Sequence, residues 1–259
     1  MGVTSDRRRV DMIKAIVFDL DGTLVQTEKL KAVSYATAVQ RLRGLPEPDA
    51  GAIEAYREIV GAARDVASRH IVEKLGLEND LRPLMSQYGA GEPWEVLTAM
   101  RMDIYSGIVA DPKVLRDSQW PHTVDLLRVA GETGCATAVV TMSKRDEALH
   151  VLRSLDLEHS LDLIVTAEDV KRGKPDPEMY LLAAQRLGVL PQECVVLEDS
   201  VNGVRAALAA GTNVVAVATP FTSAGLHASQ IVEDAWTVHE PDKVAETVRR
   251  RIEQAQQDG

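Results

Sequence analysis

The chain has 259 residues, of which 45% are hydrophobic and 26% charged, and its formal net charge is −10. This is the balance of an ordinary globular chain of one or two domains, and it excludes a disordered tail, a collagen-like repeat and a disulfide miniprotein. The acidic excess argues against a general nucleic-acid binder, while a local cluster of cations can still capture a phosphorylated small molecule.

In chain order, the opening MGVTSDRRRVDM is basic but has no apolar stretch of the signal-peptide kind. No later run approaches the roughly 18 apolar residues of a membrane helix. A cytoplasmic protein without membrane contact is expected. Ala15-Ile16-Val17-Phe18 is then a short continuous apolar run, the mark of a strand buried on both faces. From about Thr27 to Ala110 the pattern is helical, with segments at Thr27–Leu42, Ile53–Val60, Val66–Leu75 and Trp94–Ile108 set apart by Gly- or Pro-containing turns. Beyond them, apolar runs at Ala136–Val140, Leu161–Val165, Cys194–Leu197 and Asn213–Val217 alternate with helical patterns at Val124–Ala130, Arg145–Leu155, Glu178–Leu187 and Val201–Ala210. Strand alternating with helix predicts an α/β fold, a parallel sheet wrapped by helices. Residues 1–26 and 111–259 would form the core, and residues 27–110 an all-helical insertion after the first strand. Aromatic residues are only 4%, so the core falls to Val, Leu, Ile and Ala. Cys135 and Cys194, the only cysteines, each open an apolar run and are expected as reduced, buried thiols. The polar end Glu253–Gly259 is expected to fray.

Four strings interrupt this pattern. After the first strand comes Asp19-Leu20-Asp21-Gly22-Thr23, two carboxylates two apart with a glycine for a sharp turn. At a strand's C-terminal end they face the crevice where open α/β sheets bind ligands, though an acidic turn describes the string as well. The second strand ends in Thr141-Met142-Ser143, hydroxyls beside free helix N–H groups, which suits a phosphate or a plain N-cap. Gly173-Lys174-Pro175-Asp176-Pro177 places Lys174 in a loop, with Asp176 as N-cap and Pro177 as first helical residue. The fourth strand ends in Glu198-Asp199-Ser200, acids that either cap the next helix or join Asp19 in the hard oxygen site that Mg²⁺ prefers.

In this order the four strings resemble the motifs of the haloacid dehalogenase superfamily, mostly phosphatases and phosphomutases, over nearly the whole chain. The resemblance implies a Rossmann-like, doubly wound core with a mobile helical cap at 27–110. It implies phosphoryl chemistry, because the family's dehalogenases and phosphonate-cleaving enzymes lack an acid at the place of Asp21. Asp19 would attack phosphorus, giving an aspartyl phosphate, and Asp21 would serve as acid and then base. Mg²⁺ would be held by Asp19, the Asp21 carbonyl and Asp199, with Glu198 in support. Thr141, Ser143 and Lys174 would hold the transferring oxygens.

Within the superfamily the insert resembles that of the β-phosphoglucomutase-like branch. Gly61-Ala62-Ala63-Arg64 has the spacing of its G-x-x-R substrate loop, and Arg101 falls where the mutases carry a substrate-contacting Lys. Lys31 stands where the sugar mutases carry a hinge His, and Thr23 matches a phosphatase-like DGT; both favour hydrolysis. Arg64, Lys31 and Arg101 are therefore candidate substrate contacts, or else ordinary solvated residues. The six histidines show no zinc spacing. The expectation is a Mg²⁺-dependent phosphatase of a small sugar, polyol or hydroxy-acid phosphate, monomeric or weakly dimeric, with no nucleic-acid partner. The alternatives are a β-phosphoglucomutase-like mutase and a catalytically silent sugar-phosphate-binding regulator.

Overall fold

In the computed structural model, which describes residues 13–132 and 134–258, the apolar run Ala15–Phe18 forms strand β1 with all of its residues buried. Eight α-helices lie between it and the next strand among the described residues, the first six being α1 (Thr27–Arg43), α2 (Ala50–Arg57), α3 (Arg64–Leu75), α4 (Glu78–Leu81), α5 (Met85–Tyr88) and α6 (Pro93–Val109). The chain returns through α7 (Pro112–Asp117) and α8 (Pro121–Glu132) to β2 (Ala136–Val140). Strand and helix then alternate as α9 (Arg145–Ser154), β3 (Leu163–Val165), α10 (Glu178–Leu187), β4 (Cys194–Glu198), α11 (Val201–Ala209), β5 (Asn213–Val217), α12 (Ser223–Ser229), β6 (Thr237–Val238) and α13 (Val244–Asp258).

The sheet is parallel throughout, in the order β3-β2-β1-β4-β5-β6. The chain winds outward from β1 to β3, then crosses to β4 and winds the other way. This is the doubly wound arrangement, and the crevice at its switch point opens between the C-terminal ends of β1 and β4. Alternate strand residues feed opposite faces. Ile16, Phe18, Val139 and Leu197 pack under α8, α9 and α13, while Ala15, Val17, Ala138 and Val196 pack under α10 and α11. Each fully buried Val, Leu or Phe contributes about 1.5–3 kcal/mol, and burial on both faces explains why the runs do not alternate. The insert has a separate cluster built from Tyr35, Val39, Ile71, Val96 and Leu97, and Phe221 from the segment after β5 packs against it.

Several boundaries differ from the sequence reading. β3 begins at Leu163, not Leu161, because Asp162 spends its carboxylate on the Thr137 N–H at 2.8 Å. α2 starts at Ala50 because the Asp49 side chain caps it through the Ala52 N–H. Pro177, not Asp176, is the N-cap of α10, and Asp176 instead accepts the Glu178 N–H at 3.0 Å. The expected fraying end is helical as far as Asp258, since Val244, Val248, Ile252 and Ala255 form a stripe against the sheet. Gly259 and the basic opening, residues 1–12, lie outside the described residues. Both cysteines are free. Cys194 is buried, but Cys135 is only half-buried because it stands just ahead of β2. Among the described residues no helix is long and apolar enough to cross a membrane.

The loop from β3 towards Lys174 is anchored by Asp169. Its carboxylate accepts the Thr166 N–H (2.8 Å) and hydroxyl (2.9 Å), and it pairs with Arg145 (2.7 Å) and Arg186 (3.0 Å). Burial pushes this carboxyl up, but the Thr166 donors and the two guanidinium groups hold it down at about 2. The ordinary value is about 3.9, so the stabilisation is complete above that pH and is lost as pH falls towards 2. Asp169→Asn should therefore lower the melting temperature at pH 7, and the gap from wild type should close as thermal scans are taken from pH 5 down to pH 2.

Candidate active site

Pairing with β4 continues past the end of β1, where the Asp19 N–H donates to the Leu197 carbonyl at 2.9 Å. Asp19 is thereby delivered beside Glu198 and Asp199. Gly22 turns the chain with φ +100°, and a Cβ there would fall 2.1 Å from Asp199 Oδ2. Only glycine lets the two strand-end loops approach this closely. Ser200 then caps α11 by accepting the Gly203 N–H at 3.0 Å.

Lys174 enters from the β3–α10 loop and sits among the acids. Its ammonium reaches Asp19 Oδ1 and Glu198 Oε1, both at 2.6 Å, and the Val140 carbonyl at 2.9 Å. Burial alone would depress this lysine, but the two carboxylates raise it well above its usual range. Glu198 is fully engaged, taking the Tyr180 hydroxyl at 2.8 Å on Oε1 and the N–H and hydroxyl of Ser200 on Oε2. Asp19 Oδ2 and Asp199 Oδ2, by contrast, are buried without any hydrogen-bond partner. Burial and the neighbouring acids push both carboxyls well above the usual range, with Lys174 only partly opposing this at Asp19. One oxygen from each of Asp19, Glu198 and Asp199 lies within 4.8 Å of the others. Orphaned hard-oxygen donors that share one lysine among three acids suit an oxygen-seeking divalent cation, so the residues fit such a metal.

Asp21 lives in the opposite environment. It accepts the hydroxyls of Thr27, Thr141 (3.1 Å) and Ser143 (2.7 Å), and it pairs with Lys31 at 2.9 Å. Burial opposes ionisation, yet Lys31 and the hydroxyls bring the carboxyl down to about 2. Lys31 is shared with Glu28 at 3.1 Å, and Glu28 also accepts the Tyr56 hydroxyl. Lys31, which the sequence offers as a candidate substrate contact at the place of the sugar mutases' hinge His, is a direct partner of Asp21. Ser143 is not the cap of α9, because Lys144 holds that position.

The insert covers the crevice. Gly61, with φ +80°, lies so close to Ser200 that a Cβ would meet its hydroxyl at 2.5 Å. Arg64 opens α3 and donates through Nη2 to both carboxylate oxygens of Glu147 on α9, at 2.9 and 2.7 Å. Arg101 on α6 is 4% exposed and lies over the rings of Tyr35 and Tyr105, 5.1 and 5.2 Å from their centroids. Removing a guanidinium from water costs several kcal/mol, and a desolvated ring face returns about 2 kcal/mol. Between insert and sheet lies a cavity of about 390 Å³. It is lined below by Asp19, Asp21, Lys174 and Asp199, and above by Lys31, Arg64, Trp94 and Arg101. All the residues of the four strings named as site candidates thus converge on one crevice. Sequence reasoning missed Thr27, Glu28, Tyr56, Tyr180 and Glu147; of these, Thr27 and Glu28 were findable, lying four and three residues before Lys31 on one helix face.

A doubly wound sheet with acid-rich loops at its switch point and a helical insert after β1 defines a hydrolase class. The family model for haloacid dehalogenase-like hydrolases matches residues 13–211, and the chain belongs to that family. It is 34% identical over 221 residues to hexitol phosphatase A of Escherichia coli, covering 85% of this chain and 89% of that one. To the phosphorylated carbohydrates phosphatase of Thermotoga maritima it is 30% identical over 199 residues, or 77% and 82% of the two chains. The fold is similar to that of β-phosphoglucomutase from Clostridium difficile, with a TM-score of 0.71 at 21% identity over 94% of this chain and 98% of that one.

Removing Lys174 leaves Asp19 and Glu198 buried together without their cation. Lys174→Met should cost about 3–5 kcal/mol of stability in urea titrations run in EDTA. The double variant Lys174→Met/Glu198→Gln should recover part of that loss.

Proposed function

We propose that the protein is a Mg²⁺-dependent phosphoric monoester hydrolase acting on a small phosphorylated sugar, polyol or hydroxy acid. The observation that carries this reading is the contrast between Asp19 and Asp21. Asp19 keeps one oxygen without a partner at the crevice, as a nucleophile needs. Asp21, two residues on, is gripped by four side chains and faces the same cavity.

Asp19 attacks phosphorus in line, so a new bond joins its carboxylate to phosphorus as the ester P–O bond breaks, and water later cleaves the aspartyl phosphate. Asp21 takes the proton of that water as a carboxylate, the form its partners hold. To donate to the leaving oxygen it must first be protonated, and an incoming phosphate dianion favours this by raising its pKa. Lys174 steadies a transferring oxygen, with Thr141 and Ser143 beside it. Mg²⁺, held by Asp19, Asp199 and the Asp21 carbonyl with Glu198 in support, would offset the repulsion between carboxylate and phosphate. Residues 27–110 act as a cap over residues 1–26 and 111–259. The separate cluster of the insert and the Arg64–Glu147 contact across the crevice support that division.

The two relatives described above are named phosphatases, which favours hydrolysis. The similarity in fold to a phosphoglucomutase favours the second reading, a phosphosugar mutase. Asp19→Asn keeps the shape but removes the attacking charge, so phosphate release should fall by several orders of magnitude, and EDTA should abolish it in the wild type. Product analysis by ³¹P NMR should show free phosphate; accumulation of an isomeric sugar phosphate with little free phosphate would instead establish the mutase.

A further inference from the structure

Lys174 borders the cavity with every proton of its ammonium engaged. An ammonium has three N–H donors and no more. Asp19 Oδ1, Glu198 Oε1 and the Val140 carbonyl take one each, at 2.6, 2.6 and 2.9 Å. To hold an oxygen of a phosphoryl group, the lysine must turn one of the three away. We propose that Tyr180 is the positioning residue for this exchange, because it carries Glu198 while Lys174 turns to the phosphoryl oxygen. This rests on the phosphatase reading and adds to it a residue outside the four strings.

The three acceptors depend on the lysine unequally. Asp19 already has one buried oxygen without a partner, so losing Lys174 would leave its carboxylate with no hydrogen bond among the described residues. Glu198 Oε1 is the one of the three acceptors that takes a second side-chain donor among the described residues, the Tyr180 hydroxyl at 2.8 Å. Its other oxygen accepts the N–H and hydroxyl of Ser200, at 3.2 and 3.1 Å. Glu198 therefore keeps three donors when the ammonium leaves, and its buried charge is not stranded. It is also seated against α11, where a Cβ on Gly203 would fall 1.8 Å from Oε1. Hydrogen bonding to an ionised carboxylate lowers its basicity, so the hydroxyl slackens the hold of Glu198 on the ammonium even before the exchange. The ring of Tyr180 supports the lysine as well, with its centroid 5.3 Å from Nζ. Tyr180 itself is 1% exposed, so it acts through Glu198 and Lys174 and touches no substrate.

Tyr180→Phe keeps the ring and deletes the hydroxyl. Calorimetry on the full chain gives the affinity for inorganic phosphate at saturating Mg²⁺, and a separate titration without phosphate gives that for Mg²⁺. In Tyr180→Phe, phosphate affinity should fall about tenfold, the scale of one hydrogen bond to a charged group, while Mg²⁺ affinity changes less than about threefold. In a Glu198→Gln background the same substitution should cost phosphate affinity less than about threefold, because the charge that Tyr180 carries is gone. A crystal structure of the wild type with Mg²⁺ and orthovanadate serves if Tyr180→Phe does not fold. There, Lys174 Nζ should bond a vanadate oxygen and stand beyond about 3.5 Å from Glu198 Oε1, with the Tyr180 hydroxyl still on that oxygen. Unchanged phosphate affinity in Tyr180→Phe, equal losses for phosphate and Mg²⁺, or the full loss in the Glu198→Gln background would overturn the role of Tyr180. So would a vanadate complex in which Lys174 keeps Glu198 and releases another partner. A wild type that binds phosphate but releases none from p-nitrophenyl phosphate would overturn the phosphatase reading and leave the exchange at Lys174 standing; one that binds no phosphate at all would overturn both.

Discussion

The site depends on one ammonium group buried among carboxylates. Lys174 bonds Asp19 and Glu198 at the point where the sheet reverses direction, and without it the acids of β1 and β4 would repel one another at the centre of the fold. The lysine does not neutralise them all. Asp199 Oδ2 and the second oxygen of Asp19 are buried without a hydrogen-bond partner in the protein, a pair of hard donors of the kind a divalent cation takes. Stability and chemistry are opposed here: the strands are stable enough, through continuous apolar burial, to carry a loop cluster that is electrostatically unfavourable alone.

Asp19 and Asp21 show how local surroundings give one residue type two states. They share a loop, a strand end and a cavity. Burial dominates at Asp19 and lifts its carboxyl, whereas Lys31 and the hydroxyls of Thr27, Thr141 and Ser143 overcome burial at Asp21. Residues two apart on an extended segment project to the same side, which brings both acids to the crevice, and the turn at Gly22 then swings the chain towards the insert. Pairs of acids pushed in opposite directions by their environments are a general sign of divided catalytic labour.

Most of the crevice was legible because its residues terminate apolar runs. Once Ala15–Phe18, Ala136–Val140 and Cys194–Leu197 are read as buried strands, Asp19, Thr141, Glu198 and Asp199 must meet at one edge. Lys174 was harder, since it lies well beyond β3 and owes its place to the Asp169 clamp, whose arginine partners come from two different helices. Tyr180 and Tyr56 were illegible because helical side chains reach the acids only once tertiary packing sets the helix rotation. The partner of Arg64 was equally hidden, for Glu147 lies 83 residues away. The two-residue β6 and the short helices α4 and α5 are too brief to carry a periodic signal.

The two ion pairs that define this enzyme sit at different depths. Lys174 and Asp19 are almost sealed, with side chains 2% and 8% exposed, whereas Arg64 and Glu147 are 25% and 27% exposed at the rim. Dissolved salt screens charges at the rim and hardly reaches those inside. Ionic strength therefore loosens the grip of the insert on the sheet while leaving the charges around Asp19 in place, so that entry to the cavity and reactivity within it answer to different properties of the medium.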